Sequence, residues 1–148
     1  MIVNLGQWCW ARTLGNAMLA ALKARPAAAL LTTPTLVLRT DAVRVVPETV
    51  FADIVAADFS GYADLAVTPS DPVHEGLSAG GMLVNGVWIA TDPSPAAFVP
   101  NTVTGVALTD GVTAYYGGAQ FDAGVGIAAP GDYVDLTALL GLEWLWSR

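Results

Sequence analysis

The spacing of hydrophobic and polar positions along the chain changes character once, near Pro26. Before it, Leu14, Ala17, Met18, Ala21 and Leu22 recur at i, i+3, i+4, i+7 and i+8, which is one face of a helix. An N-terminal α-helix is therefore predicted over residues 5–24. Asn4 and Gln7 have capping-box spacing, and Lys23 and Arg25 sit where cations suit the helix dipole. Gly6 and Gly15 oppose the helix, and Pro26 stops it.

Beyond Pro26 the apolar runs are short and punctuated by Gly, Pro and Asp, the texture of strands joined by turns. Thr35–Thr40 reads as a strand. Val50, Phe51, Ile54 and Val55 suit a short helical turn, and Gly61 permits a sharp reversal at the Phe59–Tyr62 corner. Strands follow over 62–67, 103–108, 112–116, 120–127 and 133–137. Asn85-Gly86 between apolar runs predicts a hairpin within 82–90, and Thr109-Asp110-Gly111 predicts a second one. Ala96–Val99 is a short extended piece, and residues 68–81 read as a Pro/Gly loop. The final run alternates Leu140, Leu142, Trp144 and Trp146 with Gly141, Glu143, Leu145 and Ser147, as a half-buried strand does. The expected fold is mainly β: a β-sandwich or open barrel of about eight short antiparallel strands with an N-terminal α-helix. The expected organisation is a helical segment over 1–25 and a β-sandwich domain over 26–148, with no internal repeat.

Composition narrows the functional classes. The chain has 148 residues, enough for a core of its own, of which 54% are hydrophobic and 13% charged. So few charges leave much neutral surface in water, which favours a protein partly covered by partners. A compact Ala/Thr/Gly-rich monomer with scattered apolar exposure is the plainer alternative. Net charge is −7, and no Lys or Arg occurs between Val45 and Ser147. Such a body repels phosphate backbones, so no nucleic-acid partner is expected. Arg12, Lys23 and Arg25 could dock the N-terminal segment on an acidic surface. The single cysteine, Cys9, allows no intrachain disulfide and reads as a small buried hydrophobe between Trp8 and Trp10. The first ten residues lack the charged and small-residue pattern of a secretory signal. Uncharged windows such as Pro93–Thr109 are too broken to span a membrane.

Little in the sequence offers catalysis. His74, with Asp71 and Glu75 beside it, lacks the second histidine of a zinc motif and lies in the Pro/Gly loop. Asp53 with Asp58, or Asp110 with Asp122 and Asp132, could be imagined as paired acids or a calcium site. Asp110 and Asp132, however, stand where turns want an aspartate. Ser60 is not in a nucleophile elbow, and Gly117-Gly118 and Gly124-Val125-Gly126 are followed by no lysine that would make a phosphate loop. No catalytic residue, metal or cofactor is expected. Trp8, Trp10, Trp144 and Trp146 serve either a core or a shared inter-subunit surface.

Ala57-Asp58-Phe59-Ser60-Gly61-Tyr62-Ala63, then Thr109-Asp110-Gly111 with Tyr115-Tyr116, then Phe121 and Gly131-Asp132-Tyr133-Val134-Asp135-Leu136 carry a family likeness. In these phrases the chain resembles small head proteins of tailed bacteriophages, of the capsid decoration or cement type. In that family an N-terminal helix and a strand lead to an acidic segment, a corner and a β-meander. The Pro69–Gly81 loop and the Trp-rich ends have no counterpart there. The resemblance implies a non-enzymatic virion protein on the phage head surface, made in the host cytoplasm. Its implied partners are the major capsid protein and sister copies in a dimer or trimer. The interface residues expected on this reading are Trp8, Trp10, Arg12, Lys23, Arg25, Trp144 and Trp146. A tail-associated or receptor-binding module for a host glycan or protein is the alternative.

Overall fold

A computed structural model of the chain describes residues 9–11, 35–67, 81–94 and 97–141, with backbone alone for 9–10, 81–85 and 137–141. Among these residues the protein is mainly β, and every strand pairing is antiparallel. Seven strands occur among the described residues: β1 (Cys9–Trp10), β2 (Thr35–Arg39), β3 (Leu65–Ala66), β4 (Gly81–Ile89), β5 (Asn101–Thr109), β6 (Tyr115–Ile127) and β7 (Tyr133–Gly141). A 3-10 turn covers Phe51–Asp53, where a short helical turn is predicted. Five strands form one sheet in the order β1-β6-β5-β2-β3, and β4 pairs with β7 in a second.

The centre of the larger sheet is buried on both faces, which is why β2 and β5 read as nearly unbroken apolar runs. Leu36, Leu38, Val106 and Leu108 point into the main core. There they join Phe59, Phe121, Val125 and Ile127 and, from the smaller sheet, Trp88, Val134 and Leu136. Each such side chain contributes about 1.5–3 kcal/mol by leaving water. The intervening residues Val37 and Ala107 face the other way. With Ala11 and Tyr115 they form a second cluster, covered by Val45, Phe51 and Ile54 of the 41–55 segment.

Four elements differ from the sequence reading. Where the helix over 5–24 is expected, Cys9 and Trp10 instead pair with Gly118 and Gly117, and the Ala11 amide donates to the Tyr116 carbonyl at 2.8 Å. The flank of β6 offers ladder partners here, and that non-local pairing overrides helical periodicity. Residues 5–8 and 12–24, like the division at Pro26, lie outside the described residues.

The Asn85-Gly86 hairpin is replaced by one continuous strand. Nine successive pairs, from Gly81↔Gly141 to Ile89↔Tyr133, join β4 to β7 and outcompete a local turn. Gly86 supplies room instead: a Cβ there would lie 2.7 Å from the Trp88 ring, whose Nε1 donates to the Ala63 carbonyl at 3.0 Å.

The strands expected over 112–116 and 120–127 are largely one strand, β6. Its register against β5 shifts between Val103 and Gly105, so that four residues, 121–124, oppose Thr104. Residues 112–114 belong to the loop before it. The strand expected over 62–67 shortens to β3, because the edge of β2 is already occupied. The Tyr62 hydroxyl accepts from the Leu38 amide at 3.0 Å, and the Ala57 amide donates to the Leu38 carbonyl at 2.8 Å.

Candidate functional site

Three of the carboxylates that could supply chemistry, Asp53, Asp110 and Asp132, hold nearby backbone. Asp110 Oδ1 accepts the amides of Val112, Thr113 and Ala114 at 2.7–2.8 Å, closing the β5–β6 loop. These amide bonds depress its pKa to about 2. Asp132 Oδ2 accepts from Ala128 and Ala129 at 2.7 and 2.9 Å, and these two bonds lower its pKa as well. Asp53 Oδ2 accepts the Val50 amide at 3.0 Å at the start of the 3-10 turn, and Asp58 accepts from the Asn101 side chain. The turn role expected of Asp110 and Asp132 is thus observed. Among the described residues no three His, Cys, Asp or Glu groups gather at metal-binding distance. His74, Asp71 and Glu75 lie outside them. No helix among those residues is long and apolar enough to cross a membrane.

A depressed carboxyl pKa has a definite consequence for Asp110. Its stabilisation is complete above the ordinary value of 3.8 and is lost as pH falls through about 2. Asp110→Asn is expected to flatten the pH dependence of stability between those two values. Denaturant melts from pH 5 to pH 2 check this, with an unchanged slope counting against it.

A buried ion pair that sequence reading missed joins Arg39 and Asp41. Arg39 is fully buried at the end of β2. Its Nε donates to Asp41 Oδ2 at 3.1 Å, and one terminal nitrogen, Nη2, bonds Asp41 Oδ1 and the Val43 carbonyl. Asp41 also accepts the amides of Val43 at 3.2 Å and Val55 at 3.0 Å. Burial pushes the Asp41 pKa upward, but the Arg39 contact and these amides outweigh it, and the net value falls below the ordinary one. The pair ties both ends of the 41–55 segment to the sheet. It is enclosed, so it serves packing and presents no charge to a ligand.

What the fold does present is an apolar surface. On β4 the inward residues Gly86 and Trp88 are buried, as is Ala90 just after the strand, whereas Val87 and Ile89 are 52% and 55% exposed. Tyr133, directly across from Ile89, is 46% exposed, and Asp135 lies across from Val87. Val87, Ile89 and Tyr133 therefore form a contiguous apolar strip on the outer face of the smaller sheet. Water is an unfavourable neighbour for such a strip, and apolar faces of this kind are where partners dock. A sequence signal existed: Val87-Trp88-Ile89 is apolar at both strand parities, so one parity must point away from the core. Of the expected interface residues, Trp10 is placed in β1 by its backbone. Trp8, Arg12, Lys23, Arg25, Trp144 and Trp146 lie outside the described residues.

The fold and surface define an antiparallel, mainly β protein with an exposed apolar sheet face. No protein-family model matches the chain, and no curated protein and no solved structure matches it either.

Proposed function

We propose that this chain is a non-enzymatic structural protein of a tailed-phage head, of the capsid decoration or cement kind. In this reading the two sheets pack as a β-sandwich across Trp88, Val134 and Leu136, which share one core with β2, β5 and β6. The observation that carries the proposal is the exposed Val87–Ile89–Tyr133 strip, set on a fold in which Asp53, Asp110 and Asp132 hold nearby backbone. The resemblance of the Ala57–Ala63 corner and the Gly131–Leu136 strand to phage head proteins supports the particular class.

Such a protein acts by burying apolar area across neighbouring major capsid subunits, at about 25 cal/mol per Å². Because it binds only the assembled shell, it shifts the shell's stability by mass action. A dimer or trimer on the head surface would multiply the contacts made by each copy. The test adds purified chain to phage heads assembled without it. Saturable binding and a higher head melting temperature are expected. A position on the tail, or absence from the particle in an electron-microscopy map, defeats the proposal.

A further inference from the structure

We infer that the outer face of β4–β7 docks a protein surface that is apolar at its centre and ringed by Lys or Arg, and not a second copy of this chain. The apolar centre is the strip of Val87, Ile89 and Tyr133. Its surroundings are acidic. Asp135 stands across from Val87 in the ladder, and the exposed Asp92 follows Ile89 by three residues.

Lys and Arg are missing from Val45 to Ser147, and Arg12, Lys23, Arg25 and Arg148 lie outside the described residues. Of the two arginines just before that stretch, Arg39 is buried against Asp41. Arg44 belongs to the 41–55 segment, which covers the face of the larger sheet opposite the main core. The β4–β7 sheet reaches that same main core through Trp88 and Val134. Two copies meeting through this face would bring two acidic surfaces together, since each copy carries a net charge of −7. Like charges at an apolar contact oppose association, whereas a basic rim on the partner satisfies them. Charge complementarity thus selects the occupant. The inference rests on the head-protein reading for the identity of that occupant, but not for its chemistry.

The test follows the backbone amide NMR spectrum of the full chain during titration with a synthetic peptide of alternating lysine and leucine. A glutamate–leucine peptide serves as the control. Resonances of Val87, Ile89, Tyr133 and Asp135 are expected to move with the lysine peptide alone, and affinity should fall at least about tenfold between about 50 and about 500 mM salt. Ile89→Ser should weaken the lysine peptide several-fold. Asp135→Asn should reduce the salt dependence. Both positions are at least partly open to solvent, and an unchanged spectrum elsewhere verifies folding.

Equal binding of the two peptides, shifts confined to other surfaces, or no shifts at all overturn the inference. So does a concentration-dependent dimer that Ile89→Ser dissolves, because the face would then belong to a second copy. If the lysine peptide binds this face but phage heads do not bind the chain, the docking chemistry stands and the head-protein reading fails.

Discussion

Replacing Asp41 by alanine is expected to lower the unfolding free energy by about 3–5 kcal/mol, the usual cost of removing one partner from a buried ion pair. The Arg39 side chain is only 1% exposed, so water cannot replace the carboxylate. Its Nη1 already has no hydrogen-bond partner among the described residues. The amides of Val43 and Val55 lose their acceptor at the same time. The 41–55 segment then comes away from the sheet, and Val45, Phe51 and Ile54 lose their packing on Val37, Ala107 and Tyr115.

Urea unfolding measures the loss, and a change below about 1 kcal/mol would show that the pair is not structural. The double replacement Arg39→Met with Asp41→Leu should recover most of it, because a well-packed apolar pair costs no charge burial. The pair also has a pH signature. Since the folded pKa of Asp41 lies below the ordinary 3.8, its contribution is whole above that value. It is lost as pH falls through the lower folded value. Acid unfolding of the wild-type chain should therefore steepen below pH 3.8, and the double variant should lack that component.

Gly61→Ala is expected to cost about 3 kcal/mol, lowering the melting temperature by roughly 10 °C. Two effects combine. Gly61 has φ of +86°, and it is the third residue of a turn closed by the Tyr62 amide on the Phe59 carbonyl at 2.9 Å. In addition, a Cβ would sit 2.3 Å from Thr91 Oγ1 and 3.1 Å from Thr91 Cβ. The corner cannot shift away, because it is stitched to two other segments. The Thr91 amide donates to the Ser60 carbonyl at 3.0 Å, and the Val99 amide donates to Ser60 Oγ at 2.9 Å.

Adding Thr91→Ala to Gly61→Ala removes the hydroxyl from the collision. It should return part of the loss and leave the backbone strain behind. Gly126→Ala is the control: nothing lies within 4 Å of a Cβ there, and stability should change by less than about 1 kcal/mol. A thermal melt in which the two glycine variants behave alike would refute the account of the corner.

Features governed by a few neighbouring residues were legible in the chain. Asp110 and Asp132 announced turns, since a short carboxylate reaches amides two to four residues along or back. Gly61 announced the reversal, and the apolar run of residues 35–39 announced a buried strand. The apolar strip was legible only in part. Apolar residues at both parities of 87–89 imply a second face, but not whether another layer covers it.

Arg39 and Asp41 are near neighbours whose pairing gave no sequence signal. Exposed aspartates and arginines two residues apart are common, and only the covering of that spot by the 41–55 segment turns the pair into a buried one. Cys9–Trp10 and Asn85-Gly86 were misread for the opposite reason. Their local preferences, helix and hairpin, are worth a kcal/mol or so, less than the summed ladder bonds and core contacts that distant strands provide.

The amino-acid sequence alone therefore determined the antiparallel, mainly β character and the turns. These follow from side-chain period and from hydrogen bonds spanning a few residues. Tertiary structure decided which edges pair, which arginine is sealed from water, and which face of β4–β7 stays open. Each of those outcomes depends on segments far apart in the chain competing for the same partners, and that competition is settled only when the sheets pack.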